Sequence, residues 1–253
     1  MARSFASQTS DQVAVPDYAG LLQYSSASIL AWFKRAAAPT SGANLTIYQE
    51  LLPDVAEIFI NMLATPGADN GALEVAWEGT LRASFTSTNL FDDDLWHWLL
   101  LVRRSSGTFV ELYVDGVSEG SSATNPGTNA TSKTIKWGGQ LNSSFGGRLA
   151  CCAAFARTLD INEARTFAFG RPPSGSVDFY HEMMGGSPEP DWSGNGRNGT
   201  LTATTVADHA PIGPWFGLNL GWMGAFVAAA AAAGQPTMRR WGGISHMRPS
   251  WRR

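Results

Sequence analysis

The feature that most constrains this chain is a succession of short apolar runs, set apart by turn residues and uninterrupted by any long helical period. The first six are QVAV at 12–15, ASILAWFKR at 27–35, NLTIYQ at 44–49, VAEIFINM at 55–62, LEVAWE at 73–78 and TLRASFTS at 80–87. Pro39 with Gly42, Pro66-Gly67 and Asn70-Gly71 punctuate them, and runs spaced this closely pack as antiparallel strands rather than crossover units. LWHWLLLVRR at 95–104 is apolar enough for a central strand. TFVELYV at 108–114 alternates, with Phe109, Glu111 and Tyr113 on one face and Val110, Leu112 and Val114 on the other. Asp115-Gly116 follows as a hairpin-closing turn. A polar loop is expected over 118–132, then strands in TIKWGG at 134–139, GRLACCAAFA at 147–156, VDFYHEM at 177–183 and GTLTA at 199–203. One helix is expected, capped by Asp160 with Glu163 in capping-box spacing.

Composition agrees with an all-β body. Of 253 residues 44% are hydrophobic, too many for a disordered chain, while 15% are charged and Gly 27 and Pro 13 supply turns. Cutting after Ile212 separates an acidic body, 13 Lys+Arg against 21 Asp+Glu, from a tail with five Arg and no acid. Three lysines in the whole chain argue against nucleic-acid binding by the body. Cys151 and Cys152 are neighbours, so on a strand they face opposite ways and act as small buried hydrophobes rather than a disulfide. MARSFASQTSDQ shows no apolar signal segment, which points to synthesis in a cytoplasm. The N-x-[ST] matches at Asn44, Asn129, Asn142 and Asn198 read as turns.

The organisation expected is a sandwich over 1–212 and an anchoring tail over 213–253. Within the tail a helix is expected at 222–233, stopped by Gly234 and Pro236. Twelve residues span roughly 18 Å against a hydrocarbon core of about 30 Å, so no membrane span is expected. The anchoring candidates are Trp222, Phe226, Arg239, Arg240, Trp241, Arg248, Trp251, Arg252 and Arg253, because Trp and Arg dominate interface energetics.

The order SDQVAVPD, ILAWFKR, LWHWLLLVRRSSGTFVELYVDGV, IKWGG, GGRLACCAAFARTLDINEA and PDWSGNGRNGTLTA resembles a laminin-G-like domain of the concanavalin A-like lectin/glucanase superfamily. Trp96-His97, Tyr113 to Gly116, Gly147 to Leu149 and Leu159 to Ala164 carry the resemblance, which covers roughly 3–212. It implies a jelly-roll sandwich of two antiparallel sheets. The tail further resembles C-terminal segments of laminin-G-like proteins encoded by tailed bacteriophages. The expectation is therefore a non-enzymatic virion structural protein, either capsid decoration or fibre-associated, that partners other capsid or tail proteins and its own copies. The alternative is a glycan-binding adhesion module on a particle or cell surface.

Superfamily glucanases place three carboxylates on one strand as E-x-D-x-x-E. Here Asp54 and Glu57 match, but Leu52 stands where the first Glu belongs, so no hydrolysis is expected from this motif. Glu111 and Glu119 read as solvated charges. Asp92, Asp93 and Asp94 diverge along the chain and read as a solvated loop rather than a calcium site; no metal or cofactor is expected. His97 reads as a packed or hydrogen-bonded histidine between two core tryptophans, Trp96 and Trp98, and His181 carries no signal. Trp137, Tyr180 and Trp192 are the candidates for stacking on a sugar ring, a structural role being the alternative for each.

Overall fold

The structure, a computed structural model, describes residues 2–5, 11–18, 20–35, 45–52, 55–63, 71–78, 81–129, 131, 133, 134–140, 143–169, 177–183, 186–208 and 210. The chain divides into units Met1–Pro214 and Trp215–Arg253, and every described residue belongs to the first. The expected tail helix and all nine anchoring candidates lie outside the described residues.

In chain order the strands are β1 (Ala2–Ser4), β2 (Gln12–Tyr18), β3 (Ala27–Lys34), β4 (Leu45–Leu52), β5 (Val55–Met62), β6 (Ala72–Glu78), β7 (Arg82–Leu90), β8 (Trp96–Arg103) and β9 (Val110–Val114). They continue with β10 (Val117–Ser122), β11 (Lys133–Trp137), β12 (Gly139–Gln140), β13 (Ser143–Ser144) and β14 (Arg148–Phe155). The helix α1 (Ile161–Ala168) precedes β15 (Val177–His181), β16 (Thr200–Thr202) and β17 (Thr205–Ala207).

They form two sheets, antiparallel apart from one Ser144–Thr46 pairing. The first runs β10-β9-β8-β3-β14-β1-β17 with β15 also on β14; the second runs β16-β2-β11-β4-β5-β6-β7, with the β12–β13 hairpin against β4. This is the expected jelly-roll sandwich. Period-two alternation sends one side of each sheet inward: Ile29, Ala31, Phe33, Leu99 and Leu101 meet Ile58, Ile60, Val75, Trp77 and Trp137 in one continuous core.

The outer side of the first sheet is apolar as well. Leu30, Trp32, Trp98, Leu100 and Ala153 cluster there with Ala164 and Ala168 of α1, so the central strands β3, β8 and β14 read as nearly unbroken apolar runs. Asp160 caps α1 as expected, its Oδ1 accepting from the amides of Asn162 (2.8 Å) and Glu163 (2.9 Å). Cys152 lies in the inter-sheet core and Cys151 in the outer cluster. A bulge between Ala150 and Ala153, with Cys151 at φ 48°, re-aims the strand between them. Burial raises the Cys151 thiol to about 12, so it is an inert packing group.

The β9–β10 hairpin closes on Asp115 (φ 52°) and Gly116 (φ 87°), the positive angles a two-residue I′-type turn demands. Three expectations are corrected. Residues 117–122 belong to an edge strand, not to the loop expected from 118, because a polar edge strand needs apolar residues on neither face. Glu119 is buried at 3% exposure rather than solvated, its carboxylate accepting from Thr88 Oγ1, Asn89 N and Asn89 Nδ2. Phe109 precedes β9 and packs against the inter-sheet core, on the same side as Val110, Leu112 and Val114.

Candidate glycan-binding surface

The second sheet turns a different chemistry outward. Read crosswise, its register aligns Ser84 with Ala76, Ala76 with Phe59, Phe59 with Gln49, Gln49 with Lys136, Lys136 with Ala14 and Ala14 with Thr200. Opposed residues share a face, and the strand neighbours Ala83, Trp77, Ile58, Tyr48, Ile135 and Val13 all point into the core. The aligned row therefore crosses the outer face of the sheet.

Phe59 is half-buried at its centre, with the Arg82 guanidinium 5.7 Å from the ring centroid and Arg82 Nε 3.1 Å from Glu78 Oε1. Beside the ring, buried Gln49 donates from Nε2 to the Gly139 carbonyl at 2.7 Å, while its Oε1 has no partner among the described residues. Burial lowers the pKa of the Lys136 ammonium. In the adjacent row Thr46 Oγ1 donates to Asn61 Oδ1 at 2.9 Å. An aromatic face bordered by amide, ammonium and hydroxyl groups offers what a sugar ring requires, an apolar platform with fixed polar partners at its edge.

The same face does not offer a hydrolytic pair in Glu74 and Glu78. Four residues at about 3.3 Å rise put their Cα atoms roughly 13 Å apart, beyond the ~5–9.5 Å between catalytic carboxylates. Glu78 is turned toward Arg82. Asp54 and the side chains of Leu52 and Glu57 lie outside the described residues.

The sugar-stacking candidates separate. Trp137 is wholly buried, 4.6 Å from the Tyr48 ring and 6.1 Å from the Phe179 ring, which corrects its reading as a platform: it shares the inward phase of Ile135. Tyr180 and Trp192 are brought together, Trp192 N donating to the Tyr180 carbonyl at 2.8 Å. Asp191 Oδ1 accepts from Tyr180 N (3.0 Å) and Ser193 N (2.9 Å), fixing the loop between them. Both are half-buried, and Tyr180 packs on the outer cluster of the first sheet, away from the Phe59 row.

Trp98 is buried and Trp96 half-buried in that cluster, whereas His97 faces the other way. Its Nδ1 is 2.6 Å from Asp115 Oδ2 and its Nε2 3.0 Å from Asp93 Oδ1. Asp94 pairs with Lys34 at 3.0 Å, so the consecutive aspartates serve separate partners. Among the described residues no group of three or more His, Cys, Asp or Glu is placed to hold a metal. His181 is fully buried and its Nε2 is 2.9 Å from the Arg197 carbonyl. Sequence reasoning missed Phe59, Gln49 and Lys136, although their polar or out-of-phase positions within NLTIYQ, VAEIFINM and TIKWGG were visible.

A family model described as concanavalin A-like lectin/glucanases superfamily matches residues 7–165. Among solved structures, the native heptameric SAP-like pentraxin from Limulus polyphemus superposes with TM-score 0.58 at 12% identity, over 84% of this chain and 96% of the other. A candidate carbohydrate-binding protein from Bacteroides ovatus superposes with TM-score 0.58 at 16% identity, over 82% of this chain and 61% of the other, less than two thirds of its length. Identities this low establish likeness of fold. No curated protein matches the sequence. Among the described residues no helix is long and apolar enough to cross a membrane.

Proposed function

The chain belongs to the laminin-G-like family of the concanavalin A-like lectin/glucanase superfamily, and from that membership we propose that it is a non-catalytic, glycan-binding module displayed on a bacteriophage particle. The row through Phe59, Gln49 and Lys136 carries the reading: it is an aromatic platform with polar edges on the sheet face that α1 leaves uncovered. Residues 213–253 hold the sandwich to capsid or tail proteins and to sister copies. The support for that role is the charge split, an acidic body against a tail with five Arg and no acid, together with the Trp and Arg residues interleaved there. The protein is then made in the host cytoplasm and resides in the virion. The second reading, an adhesion module on a cell surface, is favoured by the same row and differs in what the tail engages.

Two measurements test this. Binding of the full chain to a glycan array reads the platform, and mass spectrometry of purified virions reads the location. Saturable glycan binding with many copies per particle is the expected result; glycan binding without any copies in virions moves the assignment to the cell-surface module.

A further inference from the structure

Arg103 closes β8 and is 2% exposed. Other described arginines face an acid: Arg3 has Glu189, Arg104 has Glu111, Arg157 has Glu163 and Arg197 has Asp178. Arg103 is different. Its pKa is lowered by burial, and no carboxylate among the described residues opposes that effect. Its Nη2 donates to the Gly127 carbonyl, while Nε and Nη1 are buried with no partner among the described residues. The guanidinium stands 5.7 Å from the centroid of the Trp77 ring, and Trp77 Nε1 is likewise buried with no partner among the described residues.

These two side chains thus hold three donor nitrogens without a partner among the described residues, and a full positive charge. Water satisfies donors but leaves the charge uncompensated, and a buried charge without a counter-charge is among the heaviest penalties a fold carries. The roof over this end is the 123–129 segment, in which Pro126 is buried while Ala123, Thr124, Asn125 and Thr128 are exposed. Two backbone bonds pin it, Leu81 N to the Pro126 carbonyl at 3.1 Å and Asn129 N to the Leu22 carbonyl at 2.9 Å. Gly127, at φ 75°, gives the segment its bend over the guanidinium.

We propose that Arg103 and Trp77 form an internal binding site for one small anion, of chloride to carboxylate size, entered when the 123–129 segment lifts. The indole donor and the two guanidinium donors supply the hydrogen bonds, and the guanidinium supplies the counter-charge. The site is separate from the Phe59 row: Trp77 belongs to the core between the sheets, whereas the row lies on the outer face of the second sheet.

The test is thermal unfolding of the full chain at constant ionic strength, replacing a bulky sulfonate with chloride, bromide or acetate. The expected result is a saturable rise in Tm for the small anions that Arg103→Met abolishes. Trp77→Phe keeps an aromatic ring at the position but removes the indole donor, and weakens apparent anion affinity roughly tenfold. The chloride and acetate arms separate a halide site from a carboxylate site. If Arg103→Met does not fold, crystals of the wild-type chain grown with bromide decide the matter through anomalous density beside Arg103. A response equal in Arg103→Met, no saturable response, or water alone beside the guanidinium would overturn the proposal.

Discussion

His97 Nδ1 lies 2.6 Å from Asp115 Oδ2, which ties the start of β8 to the tip of the β9–β10 hairpin. The other ring nitrogen reaches Asp93 Oδ1 at 3.0 Å, and only an imidazolium can donate from both nitrogens. Burial by itself lowers the His97 pKa, but hydrogen bonds and charge from Asp115 and Asp93 outweigh it and the net direction is up. For Asp93 burial pushes upward, while the His97 and Leu95 hydrogen bonds bring the net direction down.

The pH dependence follows from those directions. A raised histidine pKa contributes stability that is complete below about 6.5 and is lost as pH rises through the folded value. A depressed aspartate contributes above about 3.9 and is lost as pH falls through its folded value. The difference in unfolding free energy between wild type and His97→Gln should therefore be largest between about pH 4 and 6.5 and shrink toward pH 9. Urea unfolding at three pH values and an NMR titration of the His97 ring check this; a midpoint below 6.5 contradicts it.

Arg3 and Glu189 form an ion pair at 2.8 Å with side chains 3% and 0% exposed. Removing one partner strands a buried charge at a cost of about 3–5 kcal/mol, whereas replacing both with apolar residues of similar volume is near neutral. Glu189→Leu should destabilise the chain strongly and the double change Arg3→Met with Glu189→Leu should recover most of the loss. Denaturant unfolding reads both, and an uncompensated double variant counts against the pairing.

The strands were legible because alternation has a physical cause: every second residue must meet the opposite sheet, as Val110, Leu112 and Val114 do. Asp160 was legible as a cap because its interaction is local. β10 was not, since VSEGSS draws its stability from pairing with β9 and from Glu119 bonding to Thr88 and Asn89 some thirty residues away. Of the two roles open to Trp137 the structural one holds, because it shares the inward phase of Ile135. The outward phase of Phe59, Gln49 and Lys136 was legible within each strand, but their alignment in one row was not, because its members come from seven strands and only register aligns them.

Asp54→Ala and Glu57→Ala should leave any hydrolysis of glycans by the full chain at wild-type level, because Leu52 replaces the first carboxylate of the superfamily's catalytic strand. Reducing-sugar release measured on both variants is the check. Loss of a reproducible activity in either would make the chain an enzyme.

Deleting 213–253 should leave the sandwich folded, with an unchanged β-type circular dichroism spectrum, yet abolish incorporation into particles. Within the tail, Arg239→Ala combined with Arg240→Ala should weaken incorporation, since a paired interfacial arginine costs about 2–5 kcal/mol when truncated and a solvated one at most about 1. Occupancy counted from purified particles reads this. Wild-type occupancy of the deletion variant removes the anchoring role.

Glycan-array binding of the full chain, compared with Phe59→Ala and Lys136→Ala, tests the binding account most directly. Both positions are on the outer face and contribute little to the core, so both variants should keep the wild-type Tm within a few degrees. The account predicts saturable binding by the wild type that falls at least tenfold in each variant. Binding unchanged in both, or no glycan bound by the wild type, would contradict it.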